Sequence, residues 1–221
     1  MNRFQLIFLC LCISGVSFAS EGRKNIKKSL THDGLKRTYL VHLPKNYSPA
    51  ESYPLVFALH GGSGTAKRFN RSTRNRFNDL ADEENFILVY PQGIKKSWND
   101  NPNRQDGGAR KLNIDDVGFF KKLISKLETD YAVDSENIFV CGISNGGLMS
   151  QTLAAELPSK IRAIGLVASN FGTLQASKMA NATPFSILLI PDPPKCPVYS
   201  SPALENHILL PSADICLIIG N

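Results

Sequence analysis

The chain has 221 residues, 43% of them apolar and 20% charged, enough for one sizeable core and short for two. Its formal net charge of +6 is too modest and too scattered to argue for a nucleic-acid partner. The one basic concentration, Lys67, Arg68, Arg71, Arg74 and Arg76, reads first as a solvated loop or helix face and second as a patch for an anionic polymer or a membrane surface, with no aromatic interleaving beyond Phe69.

The amino terminus has the form of a signal peptide: Asn2 and Arg3 as a positive head, an apolar run over residues 4–16, and Ser17-Phe18-Ala19 before a cut after Ala19. The run is short for a membrane span, and no later stretch approaches the ~20 apolar residues that a spanning helix needs. A mature protein released to the periplasm or the extracellular space is therefore expected. Cys10 and Cys12 would leave with the peptide, so Cys141, Cys196 and Cys216 remain where disulfides are allowed. Cys141 ends an apolar run and reads as a buried small residue, while a bridge between Cys196 and Cys216 is left open. His32, His42, His60 and His207 are far apart and not clustered with cysteines, so no metal or other cofactor is implied. Asn46, Asn70 and Asn181 each open a glycosylation pattern.

In chain order, residues 27–31 and 36–43 flank His32-Asp33-Gly34, a hairpin signal, because Asp-Gly supplies the positive φ angles of a tight turn. The runs 54–60 (PLVFALH), 86–90 (FILVY), 137–142 (NIFVCG), 161–168 (IRAIGLVA) and 185–190 (FSILLI) lack polar alternation, as strands covered on both faces do. A helix is expected over residues 76–84. A second follows Asp115 and Asp116, with Val117, Phe120, Leu123, Ile124, Leu127 and Tyr131 on one face. A third follows Ser144 and stops before Pro158. Strands alternating with helices predict an α/β chain: a mostly parallel sheet with helices on both faces and an antiparallel hairpin at its start.

The chemistry concentrates at Gly142-Ile143-Ser144-Asn145-Gly146. G-x-S-x-G between an apolar strand and a helix puts the serine on a strained turn with its hydroxyl above the sheet, the position of a nucleophile in acyl transfer. His60-Gly61-Gly62-Ser63-Gly64 follows an earlier strand, and a glycine loop there brings backbone N–H groups close to a developing oxyanion. Gly62 and Asn145 are the expected donors. His60 precedes the serine and reads as a loop-ordering residue, because the order in such hydrolases is serine, acid, histidine.

LHGGSGTA, VYPQG followed by SWND, DDVGFFKKLISKL and NIFVCGISNGG occur in the order in which the chain resembles the secreted polyhydroxybutyrate depolymerase and feruloyl or acetylxylan esterase family, over roughly residues 27–190. The resemblance implies an α/β-hydrolase fold, Ser144 as nucleophile, Gly62 and Asn145 as the oxyanion hole, and Trp98 near the substrate cleft, although Trp98 is equally a hydrophobic cover over the sheet. It implies as substrate an ester, on a polyester or on a plant polysaccharide.

The chain departs from that family after Ile190. PDPPKCPVYSSPALENHILLPSADICLIIGN is proline-rich, holds no sustained period and lacks a Gly-His pair, so residues 20–190 read as the esterase domain and 191–221 as an irregular tail from a truncation or frameshift. Chain order still permits Asp192 as the acid and His207, the one histidine after Ser144, as the base. Two functions follow: a serine ester hydrolase working through an acyl-enzyme, or an inactive chain that at most binds an ester or polymer.

Overall fold

A computed structural model of the chain describes residues 25–169 and the backbone of one further strand, residues 186–190. The leader, Asn181, Cys196, Cys216, Asp192 and His207 lie outside the described residues. No helix among the described residues is long and apolar enough to cross a membrane.

Strands β1 (Ile26–His32) and β2 (Leu35–His42) pair antiparallel from Ile26↔Val41 to His32↔Leu35. Asp33 and Gly34 carry φ angles of 47° and 71°, both positive as a two-residue hairpin turn demands. Then come β3 (Tyr53–Leu59), α1 (Ala66–Ser72), α2 (Arg76–Glu84) and β4 (Ile87–Pro91). A 3-10 turn (Ile94–Lys96) and the short α3 (Gly108–Lys111) lead to α4 (Asp116–Asp130), β5 (Val133–Ile143), α5 (Asn145–Glu156), β6 (Ala163–Val167) and β7 (Ser186–Ile190). Among the described residues the strands form one sheet of seven, in the order β1-β2-β4-β3-β5-β6-β7. Strands β3 to β7 all run parallel, so their carboxyl ends share one edge, where sites form in open α/β sheets.

The apolar runs of β3 and β4 belong to strands covered twice. On one face Leu55, Phe57, Leu59, Ile87 and Val89 join Phe120, Leu123 and Leu127 of α4 and Leu153 of α5 in the main core. On the other, Val56, Ala58, Leu88 and Tyr90 pack with Ala66 of α1 and Ala81 of α2. Neighbouring side chains thus enter opposite cores, which removes the polar alternation of a half-exposed strand. Cys141 is a buried free thiol in the second core, and burial pushes it up to about 12, so it stays protonated and inert.

Expected and observed elements differ mainly at their ends. β5 starts at Val133, ahead of residue 137, because Val133 pairs with Tyr53 and the register slips before Leu55↔Ile138; the irregularity accommodates the polar Asp134-Ser135-Glu136. Helix α1 forms within the basic stretch, capped by Thr65, whose side chain accepts from the Arg68 N–H. At the start of α4, Asp115 caps the Gly118 N–H. Its neighbour Asp116 turns inward to a fully buried ion pair with Arg37 at 2.5 Å, and the guanidinium lies 3.8 Å from the centre of the Phe119 ring. That pair pins β2 to the amino end of α4.

Candidate active site

Strand β5 delivers Ser144 at the carboxyl edge of the sheet, and α5 begins at the next residue. Ser144 has φ 53° and ψ −119°, a conformation that costs a non-glycine residue about 1–3 kcal/mol and survives only where its surroundings enforce it. The enforcement is visible. The Ser144 N–H donates to the Val167 carbonyl at 2.9 Å, and its carbonyl accepts from the Leu148 N–H at 3.0 Å and the Ser169 hydroxyl at 2.7 Å.

The flanking glycines are steric necessities. A Cβ on Gly146 would lie 2.5 Å from the Leu59 carbonyl oxygen, and one on Gly142 would collide with the Gly146 backbone. The sharp turn therefore needs both, and it leaves Ser144 exposed at the surface.

The glycine loop after β3 sits beside this turn. A Cβ built on Gly61 would be 3.5 Å from the Ser144 Cβ, and one on Gly62 would be 3.9 Å from the Asn145 Cβ. Asn145 is the first residue of α5, so its N–H has no acceptor within the helix. The structure thus brings Gly62, Ser144 and Asn145 together.

His60, 1% exposed, organises that loop. Its Nδ1–H donates to the Gly61 carbonyl at 2.8 Å, while its Nε2 accepts from the Gly93 N–H at 3.1 Å. The hydrogen-bond network assigns this neutral tautomer, and burial holds the pKa below its ordinary value. With both ring nitrogens engaged, His60 ties the loop after β3 to the loop after β4. No histidine among the described residues is hydrogen-bonded to Ser144.

Trp98 lies beneath the site with 0% exposure, so its indole is a scaffold and not a wall of an open cleft. Its Nε1–H donates to the His60 carbonyl at 2.8 Å, and its ring packs 4.9 Å from the His60 ring and 5.8 Å from Phe120.

The residues after Trp98 extend the scaffold in ways that the sequence reading missed. Asp100, 2% exposed, accepts from Asn145 Nδ2 at 2.7 Å and from Arg110 Nε at 2.8 Å. Burial raises its pKa, and the Arg110 charge opposes the rise. The Asn99 N–H donates to Asp116 at 2.7 Å. The available signal was the polar run Ser97-Trp98-Asn99-Asp100 itself, since buried polar side chains need partners.

β7 joins the sheet with Val167↔Ile190, and β6 joins with Ile143↔Val167, so Ile143, Val167 and Ile190 form one row across three strands. Asp192 and His207, expected as acid and base, fall beyond the described residues.

The model of the Esterase family ("Putative esterase") matches residues 32–182. The chain belongs to the Esterase family. Among curated members it is 33% identical over 135 residues to feruloyl esterase B of Neurospora crassa, covering 60% of this chain and 44% of that one. It is 28% identical over 144 residues to feruloyl esterase D of the same organism, covering 61% and 46%. The chain therefore spans less than half the length of these two relatives.

Solved structures share the fold. A thermostable esterase superposes with a TM-score of 0.58 at 20% identity, covering 75% of this chain and 45% of that one. The S954A mutant of a Clostridium thermocellum feruloyl esterase module, complexed with sinapinate, gives 0.58 at 15% identity, covering 76% and 66%. The fold is that of an α/β-hydrolase.

Proposed function

We propose that this chain is an exported serine carboxylic-ester hydrolase, with Ser144 as nucleophile, Gly62 and Asn145 as oxyanion donors, and Asp192 and His207 as acid and base. One observation carries the proposal: Ser144 sits at φ 53° on a strand-to-helix turn, with the Gly61-Gly62 loop packed against it. The hydroxyl oxygen attacks the ester carbonyl carbon as its proton passes to the base. The resulting oxyanion is met by preorganised N–H groups, the alcohol leaves with the proton, and water then releases the acid from the acyl-enzyme.

The base assignment rests on chain order, with His60 already committed to Gly61 and Gly93. For Asp192 the support is that it follows β7, whose Ile190 shares a row with Ile143. The substrate class is an ester on a plant polysaccharide, favoured over a polyester because the relatives named above are feruloyl esterases. Export is read from the leader at residues 1–19.

The test is hydrolysis of methyl ferulate and of a short-chain nitrophenyl ester by the full chain, by Ser144→Ala and by His207→Ala. Both variants should lose about three or more orders of magnitude in kcat. Full activity in Ser144→Ala would remove the proposed nucleophile, and full activity in His207→Ala would remove the base.

A further inference from the structure

A cleft of about 510 Å³ opens between the hairpin and α1, apart from Ser144. Lys27 of β1, Thr38 of β2, Lys67, Asn70 and Arg71 of α1, and Gln92 line it, and no acidic residue does. None of its three cations forms an ion pair with a described residue. Lys67 and Arg71 stand one helical turn apart on a helix with no acidic residue in its first turn. Like charges at that spacing destabilise a helix. Folding therefore gains nothing from this arrangement, and an external anion would.

The uncharged part of the lining is ordered as well. Gln92 Oε1 accepts from the Ala66 N–H at 3.0 Å, and its Nε2 donates to the Gly93 carbonyl at 3.1 Å. Asn70 Oδ1 accepts from the Tyr90 hydroxyl at 3.1 Å. Both amides are held in place before any ligand arrives. Tyr39, Leu40 and Ala66 complete the lining, so the cleft sets cations and amides beside apolar surface, a combination that suits the C–H faces and carboxylate of an acidic sugar.

Its position links it to the site. Gln92 follows β4 at the sheet edge where β5 presents Ser144. Only β3 separates β4 from β5, an offset of two strand spacings or about 10 Å. One extended chain lying along that edge can occupy both places.

Resting on the polysaccharide-ester reading above, we propose that this cleft is a subsite for the carboxylates of a uronate-bearing polysaccharide, holding the chain while an ester further along it reaches Ser144. Arg71 offers a planar fork suited to a carboxylate, Lys27 and Lys67 act as point charges, and Thr38 and the Asn70 Nδ2 offer hydrogen bonds to sugar hydroxyls.

The test is affinity electrophoresis of the full chain in gels containing polygalacturonate or neutral arabinoxylan, with methyl ferulate hydrolysis followed separately. Lys67→Gln/Arg71→Gln should weaken polygalacturonate binding about tenfold, the effect of losing exposed charge-assisted contacts. It should leave methyl ferulate hydrolysis unchanged. Lys121→Gln/Lys122→Gln on α4 removes the same charge elsewhere and should change neither. Equal loss in both pairs, equal retardation by arabinoxylan, or tighter binding to phosphatidylserine vesicles than to polygalacturonate would overturn the subsite. Binding is read without turnover, so an inactive Ser144 would leave this result standing.

Discussion

The side chain of Asn145 grips the backbone of Trp98 from both sides: its Oδ1 accepts from the Trp98 N–H at 2.8 Å and its Nδ2 donates to the Trp98 carbonyl at 3.1 Å. The residue whose backbone N–H is proposed for the oxyanion hole is thereby locked, through its own side chain, to the tryptophan that holds the His60 carbonyl. The elbow and the glycine loop share one support. Asn145→Ala should cost about 1–3 kcal/mol of stability, because Trp98 and Asp100 lose partners in a buried setting. It should lower kcat more than it raises KM. Chemical denaturation and steady-state kinetics check this, and an unchanged kcat would mean that the grip does not position the donor.

Strain at Ser144 predicts a separation of stability from activity. Ser144→Gly and Ser144→Ala should both lose turnover. Gly is at ease at φ 53°, so the glycine variant should be the more stable of the two by about 1 kcal/mol. Equal denaturation midpoints for the two variants would show that the elbow is not strained.

The buried Arg37–Asp116 pair should be costly to break from one side. Asp116→Asn leaves the guanidinium fully buried without its counter-charge, and a loss of about 3–5 kcal/mol is expected. Arg37→Met/Asp116→Asn should recover part of that loss, since the charge is gone and the asparagine oxygen still accepts from the Asn99 N–H. Denaturation of the two variants side by side decides it.

His60 gives a pH dependence with a defined sign. Its folded pKa lies below the ordinary 6.5 because burial disfavours the charged ring. Below about pH 6.5 the unfolded chain therefore binds a proton that the folded chain refuses, so stability falls as pH drops and levels off above that value. His60→Gln should be less stable at pH 7.5 and should lose less on going to pH 5.5. Urea midpoints at the two values test this, and parallel curves for wild type and variant would exclude His60 as the cause.

Local rules made much of this protein legible in the sequence. Asp33-Gly34 demanded a tight turn, the unalternating apolar runs of β3 and β4 demanded strands covered on both faces, and Gly142 and Gly146 around Ser144 demanded a strand-to-helix elbow. Each depends on dihedral limits or side-chain period within a few residues. What the sequence could not decide was which distant polar groups would meet. Asp100 under Asn145 and Arg37 against Asp116 each join residues at least 45 positions apart. Burial of Trp98 belongs with them, because it depends on how α4 and the loop after β3 close over the sheet. Such pairings carry no periodic signature. They are chosen when folding excludes water and each buried polar atom must find a partner on whatever element the packing brings near.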